Sequence, residues 1–256
     1  MSLMQVENIT MNFDGLRAVQ NFNLDLQEGE LIGLIGPNGA GKTTVFNILT
    51  GVYIPSQGTV TFAGENITKH APWQINRSGI ARTFQNIRLF DNMTVLDNIK
   101  VAMNYQMKYK MFSAVLRTPK YRQEESMVLK ESLEMLQLFN LVEKYNFLAK
   151  NLSYGEQRRL EIARALTTKP RLLLLDEPAA GMNAKESEEL MHLISWIHKK
   201  FNLTILLIEH HMPVVMGICQ RIKVLDFGQT IAEGTPDEIK NNPKVIEAYL
   251  GEEVDH

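Results

Sequence analysis

The sequence predicts an α/β fold with a covered, largely parallel sheet. The prediction depends on three continuous aliphatic runs, Leu31–Ile35, 172–175 and Thr204–Ile208. Each run has the length of a strand and lacks polar alternation, which is typical of strands buried on both faces. A stretch with helical spacing of apolar residues separates the last two runs, and alternating strands and helices favour an α/β domain.

In the first third of the chain, short strand-like runs are separated by turn residues. Asp14-Gly15 and Glu28-Gly29 are pairs that favour turns, and Pro55 opens a third turn that ends in a glycine. The strands predicted in this part of the chain are 4–11, 23–26, Leu31–Ile35 and 59–62.

The middle of the chain predicts helices, and the last third alternates between strands and helices. Apolar residues recur every three or four positions over 96–111 and 124–139, and Pro119 separates the two stretches. The last third is predicted to contain strands at 172–175 and Thr204–Ile208, helices at 185–201 and 212–219, a hairpin formed by Arg221–Asp226 and 230–233, and two short helices after Thr235.

Composition excludes several classes of protein. The chain has 256 residues, of which 45% are hydrophobic and 22% charged, as in ordinary globular domains. A formal net charge of -2 gives no global basic field, so no nucleic-acid partner is predicted. No apolar run approaches the ~20 residues of a membrane span, so a membrane role would be peripheral. Cys219 is the single cysteine, which excludes an internal disulfide, and we expect it to be a small buried residue.

A glycine-rich run follows the first aliphatic strand and precedes a helical stretch, as the Walker A pattern requires. Its backbone N–H groups can surround phosphates, Lys42 can reach the outer phosphates, and the Thr43 hydroxyl can hold Mg²⁺. Such loops occur in GTPases, kinases and motor ATPases, so the loop alone does not identify the enzyme. The residues predicted to bind the nucleotide are Gly36, Pro37, Asn38, Gly39, Ala40, Gly41, Lys42, Thr43 and Thr44.

Two carboxylates end the second aliphatic run. Ligands bind at the carboxyl ends of strands in open α/β sheets, so Asp176 is predicted to coordinate Mg²⁺ as Walker B acids do. Glu177 points differently from its neighbour and is predicted to orient or deprotonate a water.

The run Ser153-Tyr154-Gly155-Glu156-Gln157 is typical of a helix start, because Ser153 and Glu156 have the spacing of a capping box. The same run resembles the signature of ABC-type ATPases. The resemblance is strengthened by residues 164–166, which precede the acidic strand. In that family the signature binds the γ-phosphate held by the opposite subunit, so Ser153 and Gly155 are expected on the nucleotide of a second cassette. Tyr154 and Glu156 depart from the commonest signature.

The resemblance implies a P-loop NTPase of ABC type with a mixed sheet core, an antiparallel β subdomain and an α-helical subdomain. We expect residues 1–86 to form the nucleotide-binding core with Walker A. Residues 87–167 are expected to form the helical subdomain with the signature. Residues 168–256 are expected to complete the core with Walker B, the switch histidine and the C-terminal helices.

Other family positions can be matched to single residues. Gln85 looks like the Q-loop glutamine, which contacts Mg²⁺ or the attacking water and couples to a membrane partner. His210 looks like the switch histidine, although His211 follows directly and leaves a shift of one position open. Asn183 stands in the D-loop where aspartate is common. Phe13 is either the aromatic that stacks on adenine or a core residue at a strand end.

The chain looks most like the larger ATP-binding subunit of branched-chain amino-acid importers. Motors for urea or short amides and for lipopolysaccharide export share much of the pattern. The resemblance implies ATP and Mg²⁺, a second ABC ATPase subunit, transmembrane permeases, an external solute-binding protein, and a peripheral location on the cytoplasmic face of the prokaryotic inner membrane. The stretches that carry the resemblance are 78–86, 94–98, 179–183, 248–251 and the additional sequence at 103–122.

That additional sequence has two interpretations. It is rich in Lys and Arg, and Met103, Met107 and Met111 recur at four-residue spacing. One hypothesis puts it near a permease and anionic lipid headgroups, through Lys108, Lys110 and Arg117. The other has the methionines packed on the helical subdomain and the lysines in solvent.

Two further functional classes are open to a chain with these motifs. A soluble ABC ATPase of DNA repair or translation usually has two cassettes or a long coiled coil, and neither is present here. A nucleotide-sensing subunit that does not hydrolyse ATP would have degraded active-site residues. The presence of Lys42, Asp176, Glu177 and His210 favours an ATP-hydrolysing transport motor.

Overall fold

The computed structural model describes residues 2–103 and 118–250. The chain divides into two compact units. The first consists of Met1–Gln85 and Arg171–His256, and the second of Asn86–Pro170. Most of the predicted basic, Met-striped sequence, including Lys108, Lys110 and Arg117, lies outside the described residues.

The first unit contains an antiparallel four-stranded sheet. Strands β1 (Ser2–Phe13) and β2 (Leu16–Gln27) are longer than predicted, because irregular positions break the period-two alternation that marks a strand. Asn8 and Asn21 have φ angles of 51° and 48°, and the register shifts between Val6 and Ile9. The sheet has the order β2-β1-β4-β5, formed by β1 (Ser2–Phe13), β2 (Leu16–Gln27), β4 (Gln57–Phe62) and β5 (Glu65–Asn66).

The second sheet of this unit is the predicted α/β sheet, and it is mixed. Its neighbouring strands are parallel except for the terminal hairpin, which is antiparallel. The three aliphatic strands are fully buried, as their composition predicted. The order is β10-β9-β3-β8-β7-β6, formed by β3 (Leu31–Ile35), β6 (Ile80–Arg82), β7 (Leu172–Asp176), β8 (Thr204–Ile208), β9 (Arg221–Asp226) and β10 (Gln229–Gly234).

Six described helices complete the first unit. One buried cluster joins side chains of both sheets with Val45, Phe46 and Leu49 of the helix that follows the glycine-rich loop. Burying each such side chain contributes about 1.5–3 kcal/mol, so the start of this helix is held firmly. Cys219 is buried as expected, and burial raises its pKa to about 12. The helices are α1 (Lys42–Leu49), α2 (Pro72–Ser78), α6 (Ala184–Phe201), α7 (Met212–Ile218), α8 (Pro236–Lys240) and α9 (Pro243–Leu250).

The second unit is helical. It contains α3 (Val95–Met103), α4 (Pro119–Leu138) and α5 (Tyr154–Thr167), with 3-10 turns at Val142–Lys144 and Ala149–Asn151. The part of the predicted 96–111 helix beyond Met103 lies outside the described residues. In the ranges that the structure describes, no helix has the length and apolar character needed to cross a membrane.

Candidate active site

The glycine-rich loop joins β3 to α1 and forms one wall of a cleft of about 430 Å³. Gly36 has a φ angle of 148°, and a Cβ atom there would lie 1.9 Å from the carbonyl oxygen of Leu225 on β9. Gly41 caps α1 with a φ angle of 103°. No side chain fits at either position without moving the backbone, so the two glycines let the loop run closely against β9 and into the helix.

Lys42 is buried inside the loop, with 5% of its surface exposed. Its Nζ donates hydrogen bonds to the carbonyl oxygens of Gly36 at 2.6 Å and Pro37 at 2.7 Å. The loop therefore holds a positive charge next to the N-terminus of α1, and the two together form an arrangement that binds anions.

Asp176, at the end of β7, is buried and paired with Arg82 at the end of β6. The Arg82 Nη2 donates to Asp176 Oδ2 at 2.6 Å. Arg82 Nη1 donates to Asn47 at 2.8 Å and to Thr50 at 3.2 Å. Arg82 was not among the predicted site residues, yet it fixes the position of the predicted metal-binding carboxylate.

We expect Arg82→Ala to lower the free energy of unfolding by about 3–5 kcal/mol, because it leaves the Asp176 carboxylate buried and unpaired. Urea unfolding without nucleotide measures the loss. Arg171→Ala is the matched control, since Arg171 pairs with Glu28 at 3.1 Å but both side chains are 48% exposed. An exposed pair contributes about 0–1 kcal/mol. Equal losses in the two variants would contradict the structural role of Arg82.

Glu177 lies at the centre of a cluster of three polar side chains. Its Oε1 lies 2.9 Å from His210 Nε2, and its Oε2 accepts a hydrogen bond from Gln85 Nε2 at 2.7 Å. The Glu177 backbone has a φ angle of 46°, a left-handed conformation that costs energy in a non-glycine residue and is common at functional sites. The predicted residues Gln85, Glu177 and His210 are thus brought together, whereas His211 is the N-cap of α7.

Glu209, which no sequence motif indicated, connects two loops of this cluster. It is 3% exposed, and its carboxylate accepts the backbone N–H groups of Ala179 at 2.7 Å, His210 at 3.1 Å and His211 at 3.3 Å. Burial raises its pKa, and the nearby charge of Glu177 acts in the same direction. One buried acid therefore ties the turn after Glu177 to the turn that carries His210.

Phe13 contacts the buried cluster and also lines the cleft. It packs on the edge of the buried cluster and makes an edge-to-face contact with Tyr53, with ring centroids 5.2 Å apart. It also lines the cleft. The predicted residues that line the cleft are Phe13, Asn38, Gly39, Ala40, Gly41, Lys42, Thr43, Thr44, Glu177 and His210.

Ser153 and Gly155 lie in the helical unit, at the start of α5. The predicted capping box is present: Ser153 Oγ accepts the N–H of Glu156 at 3.4 Å, and the Ser153 N–H donates to Glu156 Oε2 at 3.1 Å. Apart from its two chain neighbours, a Cβ atom built on Gly155 would meet none of the described residues within 4 Å. Packing among the described residues therefore does not require a glycine here, and the helix start has open space at this position.

The two departures from the commonest signature have local structural roles. The Tyr154 hydroxyl accepts a hydrogen bond from the buried Arg158 at 3.3 Å. Burial tends to raise the pKa of Glu156, but hydrogen bonds from Lys144 and Ser153 outweigh it and lower that pKa. Lys144 Nζ lies 2.5 Å from Glu156 Oε1. Both residues therefore make contacts that stabilise the start of α5.

Comparisons with known proteins identify the family of this chain. The family model described as ABC transporter matches residues 19–180, and the model described as branched-chain amino acid ATP-binding cassette transporter matches residues 229–255. The high-affinity branched-chain amino acid transport ATP-binding protein LivG of Salmonella typhimurium is 52% identical over 250 residues, which cover 98% of each chain.

Solved structures give the same result for the fold. The ADP conformation of an ATP-binding cassette of an ABC transporter superposes with a TM-score of 0.85 at 30% identity, over 98% of this chain and 99% of that one. A dimeric post-hydrolysis ATP-binding cassette bound to ADP and Pi gives a TM-score of 0.76 at 25% identity, over 91% and 98% of the two chains. The chain therefore belongs to the ATP-binding proteins of ABC transporters, in the family of the branched-chain amino acid transport ATP-binding proteins.

Proposed function

We propose that this chain is the ATP-hydrolysing motor subunit of an importer for branched-chain or other hydrophobic amino acids. The observation that carries the hydrolytic part is the cluster of Gln85, Glu177 and His210 beside the phosphate loop. The solute class is supported by the relatives named above. ATP binding closes two cassettes, hydrolysis reopens them, and this motion drives a separate membrane protein.

The predicted residues of the cleft have distinct tasks in the proposed hydrolysis. The loop N–H groups and Lys42 bind the phosphates. Glu177 orients a water and accepts its proton, while His210 and Gln85 hold the Glu177 carboxylate in position from its two oxygens. The Phe13 ring stacks on the adenine. Glu209 keeps the turns on either side of this carboxylate together.

The residues present fit Mg²⁺, which prefers oxygen ligands and keeps several waters and phosphate oxygens in its shell. Thr43 lines the cleft, Asp176 ends β7, and Gln85 bonds to Glu177. The described residues contain no cluster of three His, Cys, Asp or Glu side chains that could hold a metal alone. Thr43, Asp176 and Gln85 would hold the ion, and Mg²⁺ would supply charge neutralisation at the phosphates.

The working unit contains two cassettes, this chain with a second copy or a related subunit. The open space beside Gly155 supports contact with a nucleotide held by the second cassette. Transmembrane permeases are the coupled partners and an external solute-binding protein acts through them, which puts this chain peripherally on the cytoplasmic face of the prokaryotic inner membrane.

Ser153→Asp separates the two tasks of the signature serine. Aspartate caps helices as well as serine does, so we expect the free energy of unfolding to change by less than about 0.5 kcal/mol. A carboxylate facing the partner's γ-phosphate is expected to lower the ATPase rate by at least about tenfold. Thr235→Asp is the control, because Thr235 and Glu238 form the same capping box on α8. Equal ATPase rates in the two variants would contradict the proposed contact between Ser153 and the partner's γ-phosphate.

Uptake measurements test the solute. In cells that lack this chain, the unaltered chain is expected to restore uptake of radiolabelled leucine, whereas Glu177→Gln is not. Labelled urea is measured in parallel as the alternative solute. Restored urea uptake without leucine uptake would reject the amino-acid assignment. Co-purification from the native membrane is expected to recover the permeases with this chain.

A further inference from the structure

The hairpin between β9 and β10 presents an exposed aromatic ring to the nucleotide cleft. Phe227 is 84% exposed, and it lines the same cleft as Phe13 and the phosphate loop. Burying a large apolar side chain is favourable, and a ligand bound in this cleft would cover part of the exposed ring.

The backbone conformation of the hairpin loop also indicates a functional role for Phe227. Phe227 and Gly228 form a two-residue loop with φ angles of 41° and 75°, as in a type I′ turn. Asparagine, aspartate or glycine is preferred at the first of these positions. Phenylalanine there costs about 1–2 kcal/mol, and its own ring gains little burial in return. A residue that weakens its turn and adds no packing is a candidate for function.

The tip of the hairpin is fixed against the phosphate loop. The Gly228 N–H donates to the Ala40 carbonyl at 3.0 Å, and the Gly228 carbonyl accepts from the Gln20 N–H at 2.8 Å. A Cβ atom on Gly228 would lie 2.6 Å from the Ala18 carbonyl oxygen. The ring of Phe227 is therefore carried on a rigid support at the rim of the cleft.

We infer that Phe227 forms a second aromatic wall of the nucleobase subsite, beside Phe13. The inference rests on the proposed function, because it concerns the base of the bound nucleotide. Aromatic rings stack on every base through its π-face, and truncating one such ring weakens binding by about tenfold. Phe13 and Leu16 add further apolar side chains to the lining of the same cleft.

Calorimetric titration with ADP and with pyrophosphate tests the inference. Phe227→Ala and Phe227→Asn are expected to weaken ADP binding by about tenfold and to leave pyrophosphate binding unchanged. Asparagine suits the turn, so thermal unfolding of Phe227→Asn without ligand is expected to match or exceed that of the unaltered chain. Phe227→Tyr keeps a ring and is expected to keep the affinity.

Phe201→Ala is the matched control, since Phe201 is an exposed phenylalanine on α6 that does not line the cleft. Unchanged ADP affinity in both Phe227 variants would overturn the inference while leaving the proposed function intact. An equal loss of pyrophosphate affinity would also overturn it, since the ring would then act on the phosphate loop. Absence of ADP binding by the unaltered chain would overturn both the inference and the proposed function.

Discussion

Glu177→Gln is expected to lower the rate of ATP hydrolysis by about 10²–10⁴-fold, the usual contribution of a general base. Glutamine has nearly the same shape and can still accept from Gln85, which donates to Oε2 at 2.7 Å. It cannot take a proton from water. ATP binding depends on the phosphate loop and is expected to persist, so an ATP-bound dimer should accumulate. Single-turnover hydrolysis and size-exclusion chromatography with ATP measure the two effects.

Glu189→Gln is the control for this experiment. Glu189 is exposed on α6, outside the cleft, and its loss of charge is expected to leave turnover unchanged.

His210→Gln is a useful second variant, because it removes the imidazole whose Nε2 lies 2.9 Å from Glu177 Oε1 while leaving the carboxylate in place. A partial loss of rate there, with a full loss in Glu177→Gln, separates the base from the residue that orients it. Normal turnover by Glu177→Gln would refute the general-base role.

The parts of the site that could be predicted from sequence are those written in short, continuous runs. The glycine-rich loop, the acidic end of β7 and the capping box of α5 each need fewer than ten neighbouring residues. The long aliphatic strands were recognisable for the same reason, since burial on both faces removes the polar alternation. The hairpin around Phe227-Gly228 also had a local signal.

Contacts between distant parts of the sequence could not be predicted. Arg82 and Asp176 are 94 positions apart, and only the parallel pairing of β6 with β7 brings their side chains together. Glu209 reaches Ala179 across 30 positions for a similar reason. Nothing in a single sequence distinguishes such a buried acid from the many exposed ones. The full lengths of β1 and β2 were missed because Asn8 and Asn21 interrupt the alternation with left-handed conformations.

Lys42→Ala is expected to act on nucleotide affinity itself, in contrast to Glu177→Gln. A hydrogen bond to a charged group contributes about 1.5–3 kcal/mol, so removing the ammonium is expected to weaken ATP binding by about 10- to 100-fold. Lys42 Nζ also donates hydrogen bonds to the carbonyl oxygens of Gly36 and Pro37. The variant removes this donor from the Gly36 carbonyl, while the Pro37 carbonyl still accepts the Ala40 N–H at 3.2 Å. Its stability in the absence of added nucleotide is therefore expected to fall by about 1–3 kcal/mol.

Thermal unfolding with and without ATP distinguishes these two effects. At an ATP concentration 100 times the dissociation constant, the unaltered chain gains about 2.7 kcal/mol. A hundredfold loss of affinity reduces that gain to about 0.4 kcal/mol. Lys199→Ala, at an exposed position of α6, is expected to keep the full gain. If Lys42→Ala kept it as well, the buried ammonium would serve only to hold the loop carbonyls, and the phosphates would be bound by the backbone N–H groups alone.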